Sequence, residues 1–185
     1  MTPITTRPPQ VIESRPPQKR PRSLAAALVI ALSIVVIALV TLGKPFIDIP
    51  GVVNSSAHAI RSVDFQLFDG FDRPTYWYAP WTNSIGNVLL FMPFGAAIFA
   101  RTRSFVTAVL LSLFASVGIE ITQYVFALGY SDIDDVFFNT LGGVAGAGAM
   151  ALLPRREHAG WMRLTAILLT ILLAGMAVLG LKYHV

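Results

Sequence analysis

One carboxylate stands inside an otherwise apolar stretch: Glu120, in FVTAVLLSLFASVGIEITQYVFAL. A charged side chain in hydrocarbon costs about 3 kcal/mol on insertion scales, so an intramembrane Glu is a functional candidate whose partner has to be named. Ser112, Ser116, Glu120 and Gln123 recur at spacings of four, four and three, which places them on one face of a helix, and that face must look inward. Counting about 1.5 Å of rise per residue, Glu120 falls slightly outside the midplane and Gln123 one turn nearer the exterior. Asn87 and Asn139, in two other apolar runs, reach similar depths. Three helices thus aim amides and a carboxylate at one level. The expected geometry brings Glu120 within direct or single-water hydrogen-bond reach of Asn87 or Asn139, with the first and fifth helices peripheral. Such groups can bind a polar head group or exchange a proton. As plain interhelical bonds they are worth about 1 kcal/mol each.

A second constellation is SDIDDVFFNTLGGVAGAG. Ser131 or Asp132 can cap a helix, and acids in its first turn complement the positive end of the helix dipole. Asp135 and Asn139 share a face that continues into Gly142, Gly143 and Gly146, the small-residue spacing at which helices approach closely. Oxygen ligands in this turn could take a divalent cation, but no matching spacing exists elsewhere, so neither a metal nor a cofactor is predicted. In NVLLFMPFGAAIFA, Pro93 removes a backbone bond in mid-span and predicts a kink, with Gly95 easing the packing. His58, His158 and His184 form no ligand pattern and are read as solvated or interfacial, and no nucleophile elbow, phosphate loop or zinc signature is present.

The elements that must position these residues are membrane helices. Of 185 residues 55% are hydrophobic and 13% charged, with a mean hydropathy of +0.65, outside the balance of a soluble domain. Cysteine is absent, which excludes disulfides and thiolate metal sites. Five apolar runs, about 24–42, 85–100, 105–128, 136–153 and 164–181, predict an all-α, polytopic membrane helical bundle. The second run can lengthen upstream through Trp81, with Tyr76, Trp77, Tyr78 and Trp81 as an aromatic belt. Residues 1–22 form a basic, Pro-rich tail read as disordered, and the first run is read as a retained anchor rather than a signal peptide. Residues 43–80 form the one sizeable loop, in which VNSSAHAIRSVDFQLF is a candidate surface helix.

Orientation follows from the basic residues. Arg7, Arg15, Lys19, Arg20, Arg22, Arg101, Arg103, Arg155, Arg156 and Arg163 fall on one side, against Lys44, Arg61, Arg73 and Lys182 on the other, which also receives seven of the ten acids. The positive side is cytoplasmic, giving a multi-pass cell-membrane protein with its N-terminus in and its C-terminus out. The net charge of +4 therefore reports membrane topology, and no nucleic-acid partner is expected.

The three motifs NVLLFMPFG, IEITQ and DIDDVFFNTLGGVAG, in this order over about residues 83–150, resemble the VanZ-like family of bacterial membrane proteins. The resemblance carries the family's polar signature onto Asn87, Phe91, Pro93, Phe94, Gly95, Glu120, Gln123, Asp132, Asp135, Asn139, Gly142, Gly143 and Gly146. A basic residue often precedes the family's acidic turn, whereas ALGYSDIDD has none. The resemblance implies a cell-envelope role with a link to resistance to the glycopeptide teicoplanin. The partners this implies are membrane lipids and a lipid-linked envelope precursor or glycopeptide-related ligand. Two functions from different classes follow. One is a binding or transport module whose polar cavity in the outer leaflet holds a head group through Asn87, Glu120, Gln123, Asp132, Asp135 and Asn139. The other is an intramembrane enzyme with Glu120 as acid or base. A structural subunit packing through its glycine seam is the plainer third.

Overall fold

The computed structural model describes residues 24–43, 62–72, 74, 76–128 and 130–183. The basic tail, His58, His184 and the first half of the candidate surface helix lie outside these residues. In chain order the elements are α1 (Leu24–Leu42), β1 (Ser62–Asp64), a 3-10 turn (Asp69–Phe71), α2 (Ala79–Thr102), α3 (Phe105–Phe126), β2 (Tyr130–Asp132), α4 (Ile133–Leu152) and α5 (His158–Tyr183). The fold is an all-α bundle of five helices. α2 begins at Ala79, ahead of Trp81, and runs unbroken through Pro93.

Among the described residues, α1, α2, α3 and α5 are long and apolar enough to cross a membrane, and α4 is not. The expected fourth span, 136–153, is therefore a helix of 20 residues whose Asp134, Asn139, Gly142, Gly143 and Gly146 are buried against its neighbours. Protein rather than lipid satisfies its polar first turns, which releases it from the hydropathy that a lipid-facing helix needs.

α4 packs most extensively on α2 and next on α3. Its glycines explain the closeness. A β-carbon on Gly142 would overlap the Val88 carbonyl oxygen, one on Gly146 the Met92 carbonyl oxygen, and one on Gly95 the backbone of Gly143. Backbone thus meets backbone along the α2–α4 seam, an approach open only to residues without side chains. Below it, Phe91 and Phe94 meet edge-to-face at 6.1 Å and pack with Ile98, Ala108 and Ala147. A second apolar cluster joins α1, α2 and α5 through Val29, Val36, Ala97, Met162 and Leu169.

At the basic end, α2 and α3 are joined by Arg103 and Ser104. Arg103 closes α2 with a left-handed backbone (φ 61°), and Ser104 Oγ accepts the Thr107 N–H to cap α3. His158, read from the sequence as solvated or interfacial, is buried. The Arg103 guanidinium, a donor only, lies 2.6 Å from His158 Nδ1, so Nε2 carries the proton and donates to the Leu153 carbonyl at 3.1 Å. The ring ties the end of α4 to the α2–α3 corner.

At the acidic end the expected surface helix is replaced over Ser62–Asp64 by β1, which pairs in parallel with β2 in the register Ser62↔Tyr130, Val63↔Ser131, Asp64↔Asp132. The following turn clamps onto α4. Phe68, with φ 67°, gives its N–H to both Asp134 oxygens at 2.9 and 3.1 Å, and its ring meets Phe137 and Phe138 edge-on. Tyr76, Trp77, Tyr78 and Trp81 are exposed beside this clamp, and Trp81 meets Phe71 at 5.1 Å.

Candidate functional site

The inward face of α3 is continuous: Ser112, Ser116, Glu120 and Gln123 are all buried. Their partners differ from the pairing expected from depth. Asn87 donates to Asp135 Oδ1 at 2.6 Å, and Asn83 donates to the same oxygen at 2.8 Å. Asn139 donates to Ser116 Oγ at 2.9 Å. Both amides thereby donate to groups other than Glu120.

Glu120 instead organises the acidic turn. Its Oε2 accepts the Asp132 N–H at 2.9 Å, and its carbonyl oxygen accepts the Ser131 hydroxyl at 2.8 Å. One residue of α3 therefore fixes both positions that lead into α4. Gln123 reaches α1, donating to the Thr41 carbonyl at 3.1 Å, one of the last-turn carbonyls that a helix leaves without an internal donor. This contact corrects the expectation that α1 is peripheral. Gln123 Oε1 and Asn139 Oδ1 are buried acceptors with no donor among the described residues.

Asp132 is the N-cap of α4, its Oδ1 accepting the Asp134 N–H at 2.8 Å. Burial pushes the Asp132 carboxyl up to about 6. The Asp134 N–H bond opposes that rise, and the charges of Asp135, Asp134 and Asp64 add to it.

Beneath β1, between α3 and α4, lies a cavity of about 400 Å³. Asp64, Glu120 and Asp132 are among the residues that line it, with Val117, Ile121 and Val136, and its surface is almost wholly apolar. A second cavity of similar volume shares Ile133 and Val136 and continues along α4 past Thr140 to Val144. Such volumes fall in the ~300–1,000 Å³ range of small-ligand sites.

The predicted site residues thus divide. Glu120 and Asp132 line the cavity, Asn87 and Asp135 form an adjacent pair, and Asn139 and Gln123 join helices deeper in the bundle. Phe91, Pro93, Phe94, Gly95, Gly142, Gly143 and Gly146 belong to the packing between α2 and its neighbours. Asp64 and Asp134 were not singled out from the sequence as site residues. Asp64 sits in a loop of uneven composition, and Asp134 reads as one more acid of a helix start. Among the described residues no three His, Asp or Glu side chains are arranged to hold a metal ion.

The sequence profile of the VanZ/LLP1 family matches residues 25–154, a longer stretch than the three motifs cover. Protein VanZ of Enterococcus faecium is 29% identical over 119 residues, 63% of this chain and 68% of that protein. No solved structure matches. A match over well over half of the chain, on a bundle with four apolar helices of membrane-crossing length, makes this a membrane protein of the VanZ/LLP1 family.

Proposed function

We propose that the acidic end of the bundle binds the head group of a membrane lipid or lipid-linked envelope precursor, and that this end faces away from the cytoplasm. The observation that supports binding is the cavity under β1, whose apolar walls open between α3 and α4 and whose lining includes Asp64, Glu120 and Asp132. A head group at these acids and a chain along the walls is the arrangement such a lining favours. In this reading a glycopeptide-resistance phenotype is a consequence of holding an envelope lipid and not an activity in itself.

Val117 lines the cavity from α3 and is partly exposed, so Val117→Trp fills the space at little expense to the core. Full-length protein extracted in mild detergent is expected to carry a long-lived lipid adduct in native mass spectrometry, and Val117→Trp to lose it with an unchanged melting temperature. Equal adducts on both proteins would overturn the reading.

Orientation has its own test, motivated by the ten-to-four asymmetry of basic residues. Reporter fusions after Arg22, Arg103, Tyr130, Arg156 and Val185 are expected to report in, in, out, in and out. An exterior signal from the fusion after Arg156 would rule out that arrangement.

A further inference from the structure

Asp64 and Asp132 are register partners in the β1–β2 ladder, and both line the same cavity. Like charges directly opposite on a strand pair destabilise it. Each carboxylate accepts a nearby backbone N–H at its Oδ1, Asp64 from Gln66 at 2.8 Å and Asp132 from Asp134 at 2.8 Å, and no described residue donates to either Oδ2. The third acid of the lining, Glu120, is engaged through Oε2 with the Asp132 N–H. Among the described lining residues none is basic. A phosphate or pyrophosphate lying beside these acids meets repulsion, whereas a group with several N–H donors and a positive charge relieves the Asp64–Asp132 pair.

The rest of the cavity is apolar. Val117, Ile121 and Val136 form the walls, and Val117 and Ile121 are exposed on the side of α3 that faces the bilayer, so the space is open laterally. The second cavity, sharing Ile133 and Val136, carries the groove further down α4. Resting on the head-group reading above, we infer that the ligand is an amine-bearing phospholipid: its protonated amine bridges Asp64 and Asp132, and an acyl chain follows the α3–α4 groove. The amine supplies donors to the two Oδ2 atoms, to which no described residue donates.

Charge has a second consequence here. Among the described residues the groups facing Asp132 are Asp64 from β1, Glu120 from α3, and Asp134 and Asp135 from the first turn of α4, all acids. Its carboxyl, raised to about 6, is ionised at pH 7.5 and protonated at pH 5. The ammonium of such a lipid stays charged across that interval, so affinity falls as pH drops through 6.

The experiment uses full-length protein, delipidated in detergent, and three diacyl probes of matched chains: phosphatidylethanolamine, its N-acetylated derivative, which keeps the phosphate and loses the cation, and phosphatidylglycerol. Native mass spectrometry at pH 7.5 is expected to show phosphatidylethanolamine bound about tenfold or more tightly than either other probe, a difference of ~1.4 kcal/mol. That preference should disappear in Asp64→Asn/Asp132→Asn and shrink in the wild type at pH 5. The double variant keeps both Oδ1 acceptors and removes the repulsion, so it folds at least as stably as the wild type. If phosphatidylglycerol or the N-acetyl lipid binds as tightly as phosphatidylethanolamine, in a manner lost in Val117→Trp, the amine assignment is wrong while the head-group site stands. If no probe distinguishes the wild type from Val117→Trp, the site itself is wrong and the inference fails with it.

Discussion

Gly146→Leu is expected to abolish the folded bundle in detergent, while Gly148→Leu, two positions away, leaves it intact. A β-carbon at Gly146 would overlap the Met92 carbonyl oxygen and stand 3.0 Å from the Ala96 nitrogen, whereas at Gly148 nothing lies within 4 Å. The obstacle is backbone of α2, which cannot rotate aside, and α2–α4 is the most extensive helix pair in the molecule. Forcing one extra methyl into such a contact costs about 1–3 kcal/mol, and a leucine adds three more heavy atoms. Against a total stability of roughly 5–15 kcal/mol, that is enough to depopulate the native state. Gly143→Leu also destabilises, because a β-carbon there would overlap both Oγ and Cβ of Ser112 on α3, and Cβ cannot rotate aside. The measurement is monodispersity and melting temperature in one detergent. If Gly146→Leu melts with Gly148→Leu, the seam does not hold α2 to α4.

The second large effect is expected at Glu120. Alanine there removes the acceptor for the part-buried Asp132 N–H and loosens the entry to α4, costing up to ~1 kcal/mol for the lost bond. Glutamine keeps an acceptor oxygen, so Glu120→Gln melts near the wild type. Lipid retention then separates the roles of the residue. Loss in Glu120→Ala with retention in Glu120→Gln shows that Glu120 works by holding the Asp132 turn, and loss in both shows that its charge is required. Full retention in Glu120→Ala would remove Glu120 from the site altogether.

What could be read in advance followed from periodicity. The four-four-three spacing of Ser112, Ser116, Glu120 and Gln123 demands one face of one helix, and all four are buried. The spacing of Gly142 and Gly146 announced a close approach, and the backbone of α2 lies against both. What escaped was carried by backbone atoms or by long-range pairing. Gln123 bonds the Thr41 carbonyl and Asp134 the Phe68 N–H, and a backbone partner leaves no trace in residue type. β1 and β2 have three residues each, too few for an alternation to be seen, and neither forms without the other. His158 follows a Pro-Arg-Arg-Glu stretch that reads as solvated loop, so its burial depends on where Arg103 falls at a corner far away in the chain. Depth along each helix placed Asn87, Asn139 and Glu120 at one level, but not which neighbour each would choose.

The parallel pairing of β1 with β2 has a consequence for biogenesis. Between the two strands the chain runs through α2 and α3, both long and apolar enough to cross a membrane, and two such crossings bring the strands back to one side. A molecule in which either helix fails to cross leaves β1 and β2 on opposite sides of the bilayer, and the Asp64–Asp132 rung cannot form. The ladder is a non-local contact and closes only after the chain has been made through β2. Its closure is a parity check on the insertion of α2 and α3.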